Sequence, residues 1–284
     1  MNLAELWDFD HPDVSEQRFR AALATATGSD ALVLRTQLAR ALGLQRRFDE
    51  ATVELDAVPE SEDPLVRTYV ELERGRVLNS SGDPGAARPR FLAALAESEA
   101  AGLDDLAADA AHMMAIVEPG EAQIPWAERA IAIANASADP RARRWVGSVS
   151  HNLGWTLHDL GRYDEAQVVW LRALAFRQEQ GDPGPLHVAQ WTVARGFRSL
   201  GQYEEALAIQ QELASKVDSD GYVHEEIGEL MLAMGRPDEA RPHFARAHEV
   251  LSQDQWLANN EPDRLARLAK LGGGETRGTV HGVA

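Results

Sequence analysis

Apolar residues recur along most of this chain at intervals of three and four. Before Gly161 stand Leu153, Gly154, Leu157 and Leu160; after it stand Ala166, Val169, Trp170, Ala173 and Leu174. That spacing keeps one stripe of a helix apolar. Each segment therefore predicts an amphipathic helix, with the turn at the glycine between them. Gly161 suits the left-handed residue that ends a helix. Asp164 and Glu165 fall in the first turn of the second helix, where the macrodipole favours negative charge.

The same unit returns along the chain. The turn reads RRFDEA at 46–51, LGRYDEA at 160–166, LGQYEEA at 200–206 and MGRPDEA at 234–240, with a degenerate copy, SGDPGAA, at 81–87 and a weaker one, EPGEAQ, at 118–123. The anchoring alanines, at 51, 87, 122, 166, 206 and 240, lie 34 to 44 residues apart; placing the weak copy on Gln123 shifts two spacings by one. Periods of this size mark stacked supersecondary units, each burying its apolar face only against its neighbours.

These copies resemble the tetratricopeptide repeat (TPR), a 34-residue helix–turn–helix unit. In the best copy the matching residues are Leu153, Gly154, Gly161, Tyr163, Ala166, Trp170 and Ala173, with Leu157 and Ser150 replacing two large residues of the pattern. The copy at 68–101 carries Gly75, Gly82, Ala87, Phe91 and Ala94, and that at 221–254 carries Gly228, Gly235, Ala240, Phe244 and Ala247. The copy at 187–220 has Ala194 for the first glycine, and the first copy, 32–65, keeps Leu38, Phe48 and Ala51 but has Arg46 where glycine is usual. The copy near 102–137 is recognised mainly by its neighbours. The resemblance implies an all-α, right-handed α-solenoid of antiparallel helix pairs, about six repeats with capping helices. It divides the chain into an N-terminal segment and capping helix (1–30), the solenoid (31–252), a C-terminal capping helix (253–271) and an aperiodic tail (272–284) expected to be disordered. SEQRFRAALATA (15–26) is expected to start at Ser15 as its cap, and PDRLARLAKL (262–271) to close the far end. The 40- and 44-residue spacings resemble longer-helix TPR variants with a Gly-Asp break, as in QGDPGP at 180–185. There ADPRARRW (138–145) is expected to begin an extended first helix.

In a TPR array the first helices line a concave surface, and the resemblance implies that positions 5, 9 and 12 of each repeat point there while 8 and 11 pack. The candidate peptide-binding groove then comprises Arg40, Arg76, Asn79, His112, His151, Asn152, Trp155, His158, Trp191, Arg195, Arg198, Glu225 and Glu229. His151, Trp155 and His158 fall outside the packing code, on one helix face. Arginine offers planar forks for carboxylates, and tryptophan offers flat apolar area typical of binding hot spots. Two bland alternatives stand beside this: arginines solvated or paired with the next repeat's acids, and tryptophans packed between helices. Asn152 matches the asparagine of the family's two-carboxylate clamp, but Gln37, Glu73, Thr192 and Glu226 occupy that position elsewhere and no lysine lies on these helices, so that activity is not expected.

Charge narrows the partner. The chain carries 28 Lys and Arg against 45 Asp and Glu, a net charge of −17. Nucleic acid, which demands a basic footprint, is therefore not an expected ligand. With an Arg and His ladder inside the groove, the negative charge is expected to lie largely elsewhere, and the partner to carry acidic groups. Cysteine is absent, which excludes disulfides and thiolate sites and suits a reducing, cytoplasmic setting. The heavy use of Arg and Ala is consistent with a GC-rich bacterial genome. MNLAELWDFDHPD has neither a basic n-region nor an apolar h-region, so no signal peptide is expected, and no apolar run is long enough to span a membrane.

Catalytic chemistry finds little support. GxxxxGK[ST], GxGxxG, HExxH and GxSxG are all missing. His151 and His158, seven residues apart on a helix, stand about 10.5 Å apart along its axis, too far to share a zinc ion bound near 2.1 Å. No cofactor and no metal are expected. His243 and His248 are placed on an outer surface. The sequence thus points to a non-enzymatic TPR scaffold or adaptor that binds a protein or peptide segment in its groove. The alternatives are a regulatory sensor that binds a signalling peptide or small ligand, and a self-assembly module forming homo-oligomers.

Overall fold

A computed structural model describes residues 2–217 and 219–273. The expected aperiodic tail lies outside these, apart from its first residues. The described chain is helical throughout, without strands. In unit 1 (Met1–Thr156) a short N-terminal 3₁₀ turn precedes α1 (Pro12–Leu23), α2 (Gly28–Leu44), α3 (Phe48–Asp56), α4 (Pro64–Ser80), α5 (Pro84–Ala101), α6 (Asp104–Val117), α7 (Gln123–Ala136) and α8 (Pro140–Arg143). Helix α9 (Trp145–Asp159) runs to the end of this unit and a few residues beyond it. Unit 2 (Leu157–Ala284) holds α10 (Tyr163–Gln180), α11 (Pro183–Ser199), α12 (Tyr203–Lys216), α13 (Gly221–Ala233), α14 (Pro237–Leu251), α15 (Gln255–Asn260) and α16 (Pro262–Leu271). Successive helices pack as antiparallel pairs, α4 on α5 and α6 on α7 in one unit, α11 on α12 and α13 on α14 in the other.

Local chemistry fixes the helix ends. Asp63, Asp83, Asp139, Asp182, Asp220 and Asp254 each accept backbone N–H bonds at the start of a helix, which satisfies donors the helix cannot. In four of them proline follows at the first helical position, where its missing N–H does no harm. The turns between paired helices need a left-handed residue. Gly82, Gly161, Gly201 and Gly235 provide it, and in the first repeat Arg46 takes the same conformation at φ 60°.

Packing explains the repeat pattern. Gly75 lies against Phe91, and a Cβ there would collide with the phenyl ring; a Cβ on Gly228 would come 2.8 Å from Phe244 Cε1. Phe91, Phe244 and Trp170 are fully buried, as are Ala87, Ala166, Ala206 and Ala240. The first-helix glycine is thus a slot for the second-helix aromatic, a fit that small changes of volume disturb.

Two segments depart from expectation. Helix α1 begins at Pro12, and Ser15 is not its cap but lies buried within it. Its hydroxyl accepts from Asp8 N at 2.7 Å and donates to Asp8 O at 2.8 Å, clasping the N-terminal segment. Residues 138–145 do not begin one extended helix: the single turn of α8 ends at Arg143, and a step at Arg144 precedes α9. Trp145, the first residue of α9, donates its indole N–H to Asp105 on α6. The C-terminal helix docks Leu265 and Leu268 into the core of unit 2.

Candidate functional site

The inner helices of unit 1, α2, α4 and α6, carry a buried polar ladder. Position 6 reads Gln37, Glu73 and Asp109, all buried. Position 9 reads Arg40, Arg76 and His112. Each arginine faces the carboxylate of the following repeat. Arg76 donates to Glu73 Oε1 at 2.6 Å and to both Asp109 oxygens at 2.5 Å. Arg40 lies 4.0 Å from the same Glu73 oxygen, and Gln37 donates to it at 3.4 Å. Buried charges demand such partners. Burial, and secondarily the nearby Arg76, lowers the Arg40 pKa, while Arg76 is held above its ordinary value by Asp109 and Glu73 against the opposing effect of burial.

The N-terminal segment folds over the first rung. Trp7 donates its indole N–H to Gln37 Oε1 at 3.2 Å, stacks on Phe9 at 4.6 Å and meets Phe19 edge-on. The Arg40 guanidinium lies 5.3 Å from the Trp7 ring and 5.4 Å from the Phe9 ring, a cation–π arrangement.

Between this segment and α4, α6, α8 and the start of α9 lies a cleft of about 570 Å³. Trp7, Phe9, Tyr69 and Trp145 give it aromatic walls, and Asp105, Asp109, Arg40, Arg141 and Arg144 supply its charged groups. Its size falls within the range of ligand pockets. Burial, reinforced by the carboxylates of Asp105, Glu73 and Asp109, pushes the Tyr69 hydroxyl up to about 12. Burial also raises the Asp105 carboxyl, against the bond from Trp145 at 2.9 Å. His112 packs on Trp145 with ring centroids 5.5 Å apart, and burial lowers its pKa.

Unit 2 repeats the pairing. Arg198 grips Glu226 with two bonds, at 2.7 and 3.0 Å, and Arg195 lies 3.3 Å from the same carboxylate. Arg195 also donates to Ser199 at 2.8 Å, which in turn meets His158 at 2.9 Å. Glu225 is held by Arg264 at 2.5 Å, and Glu229 by Arg267.

The predicted groove residues therefore separate. Arg40, Arg76 and His112 belong to the unit 1 ladder, but only Arg40 lines the cleft. Trp155 is half-buried and donates to His151 Nε2 at 3.2 Å on its own helix. Asn152 is exposed and Asn79 half-buried. Trp191 packs against the unit 2 core. His158 stacks near Tyr163 and Trp170. At position 5, Thr36, Leu72 and Ala108 are fully buried and pack rather than line, whereas His151 is half-buried. Some negative charge does lie on the inner helices: Glu73, Asp109 and Glu226 are buried there as counter-charges to the arginines. His243 turns inward to meet His224, Nδ1 to Nδ1, at 3.1 Å. Sequence reasoning missed Trp7, Phe9, Tyr69, Asp105, Arg141, Arg144 and Trp145. A signal for the pairing was present: Arg40 and Glu73, and Arg76 and Asp109, have the same separation in sequence.

Comparison with known proteins agrees with the geometry. Tetratricopeptide-repeat models match residues 147–179 and 228–246. Helix pairs, turn glycines and glycine–aromatic slots agree with those matches and support a tetratricopeptide-repeat fold. By sequence, no curated protein matches it. By structure it resembles apo RapI, with TM-score 0.71 at 12% identity over 95% of this chain and 80% of that one. It also resembles a Signal Transduction ATPase with Numerous Domains (STAND) protein with a tetratricopeptide repeat sensor from Pyrococcus horikoshii, with TM-score 0.71 at 14% identity, covering 94% of this chain but only 43% of that one. The apo quorum sensor NprR from B. thuringiensis matches with TM-score 0.61 at 14% identity, over 95% of this chain and 78% of NprR. At these identities the likeness is one of fold.

Proposed function

We propose that the chain is a non-enzymatic TPR module that binds a protein or peptide segment in the cleft of unit 1. The observation that carries this reading is the cleft itself: about 570 Å³, walled by Trp7, Phe9, Tyr69 and Trp145. Aromatic anchors around a few oriented polar groups are what peptide recognition uses. The catalytic signatures missing from the sequence favour binding over chemistry, and the absence of cysteine suits a cytoplasmic setting. An acidic partner group has less support than the arginine ladder implied, because Arg76, Arg195 and Arg198 already hold carboxylates.

Photo-crosslinking tests the reading. A benzophenone side chain at Ser148, inside the cleft, should capture a partner segment from a lysate of the native host. The same group at Glu60, in a separate groove formed by the α3–α4 connection, α4 and α5, should not. Equal capture from both positions overturns the cleft assignment.

A second reading is a sensor that passes a signal through another protein. It draws support from the likeness to NprR, described as a quorum sensor, and to the tetratricopeptide repeat sensor of the STAND protein. Scattering curves that differ with and without the captured segment would favour it over a static adaptor. Self-assembly, the third reading, requires a concentration-dependent sedimentation coefficient.

A further inference from the structure

Asp105 stands apart from the other inner-face acids of unit 1. Asp109 has both oxygens on Arg76, and Glu73 shares Arg76, Arg40 and Gln37. Asp105 receives one hydrogen bond among the described residues, from Trp145 Nε1 to Oδ1 at 2.9 Å. A carboxylate can accept about four. It opens on the cleft that Tyr69 and Trp145 also line. Behind them Glu73 is fully buried, and its Oε2 has no hydrogen-bond partner among the described residues. Within the cleft Asp105 thus keeps acceptor positions open, and two aromatic rings stand beside it.

We propose that Asp105, Tyr69 and Trp145 form a subsite for a cationic side chain, an arginine or lysine of the bound peptide. The inference rests on the cleft being the binding site. A guanidinium or ammonium at Asp105 completes the unfilled acceptor positions with a charge-assisted bond and places its charge against aromatic faces. Arg141 and Arg144 do not fill this role. Arg141 acts on the Asp105 carboxylate through its charge, but its hydrogen bonds go to Asp139, at 2.8 Å, and Arg144 is exposed. The wall formed by Trp7 and Phe9 supplies the apolar surface for the neighbouring residues of the peptide.

Trp7 and Trp145 both line the cleft, so intrinsic tryptophan emission reports occupancy of the full chain. The probes are three blocked tripeptides, acetyl-Phe-Arg-Phe-amide, acetyl-Phe-Leu-Phe-amide and acetyl-Phe-Glu-Phe-amide. The arginine peptide is expected to bind at least tenfold more tightly than the other two, a difference of about 1.4 kcal/mol. Asp105→Asn should reduce that preference to less than twofold, while Asp263→Asn on α16, outside the cleft lining, leaves it unchanged. Tyr69→Leu keeps the carboxylate and removes one aromatic wall; it should weaken the arginine peptide severalfold and spare the leucine peptide, and it serves if Asp105→Asn fails to fold. Equal binding of all three peptides overturns the cation subsite, and so does an arginine preference that survives both variants. No saturable change with the arginine peptide up to about 1 mM, the weak end of specific recognition, overturns it as well. Crosslinking at Ser148 decides the cleft separately from these outcomes.

Discussion

Arg76 ties Asp109 to Glu73, donating to both oxygens of the first at 2.5 Å and to one of the second at 2.6 Å. Three charged side chains from two successive inner helices are thereby buried as one unit. Taking out one partner leaves the others desolvated and uncompensated, which costs about 3–5 kcal/mol. Arg76→Met should destabilise the protein by about that amount in urea unfolding. Adding Glu73→Gln and Asp109→Asn to it should recover more than half of the loss. If the single variant loses less than about 1 kcal/mol, the rung is a solvated pair of the ordinary surface kind.

Arg46 sits at φ 60° where the other repeats place glycine. A left-handed non-glycine residue costs about 1–2 kcal/mol. Its guanidinium lies 5.8 Å from the Phe48 ring, a contact worth roughly 0.5–1 kcal/mol when exposed. Arg46→Gly should therefore raise the thermal midpoint modestly. A lower midpoint would mean that the contact with Phe48 outweighs the backbone strain.

Gly75 is filled by Phe91 and Gly228 by Phe244. Gly75→Ala forces the phenyl ring to move in a close-packed interface, a loss of about 1–3 kcal/mol. Coupling it with Phe91→Leu should restore part of that stability. A double mutant at the sum of the two single losses would show that the slot does not couple them.

His112, His158 and His243 all have pKa values lowered by burial, the first-ranked cause in each; for His243 the neighbouring His224 adds to it. For such a group the unfolded chain takes up protons first. Stability is therefore fully present above the ordinary histidine pKa of about 6.5 and is lost as pH falls through it. Asp105, raised by burial, works in the opposite sense as it is protonated. The midpoint should be flat above pH 7 and fall below about pH 6.5. His243→Gln should reduce that fall when the two midpoint–pH curves are subtracted; parallel curves would remove the His224–His243 contact as a contributor.

The helices and turns were legible because their causes are local. Three- and four-residue apolar spacing, a turn glycine and an acid-rich first turn locate α10 and α12 without reference to the rest of the chain. The site was less legible because its causes are distant. Whether position 5 packs or opens depends on how closely neighbouring helices approach, and in unit 1 that buries Thr36, Leu72 and Ala108. Residues 2–9 have no periodicity, so their place over Arg40 is set by tertiary contacts alone, from Ser15 to Asp8 and from Trp7 to Gln37. The sequence places the arginines on the inner face of the first helices. What they face was set by the next repeat, and the alternative of pairing with its acids is the one the structure displays.

The rungs of unit 1 carry one more implication, about how such a chain changes length. The second repeat contributes Glu73 to the arginine before it and Arg76 to the acid after it. It is therefore self-balancing. Excising or duplicating it whole would set Arg40 opposite Asp109, or Arg76 opposite a copied Glu73, and each seam would remain neutral. A cut placed inside the helix pair has no such property. The charge pattern defines a unit that evolution or an engineer can add and remove without stranding a buried ion.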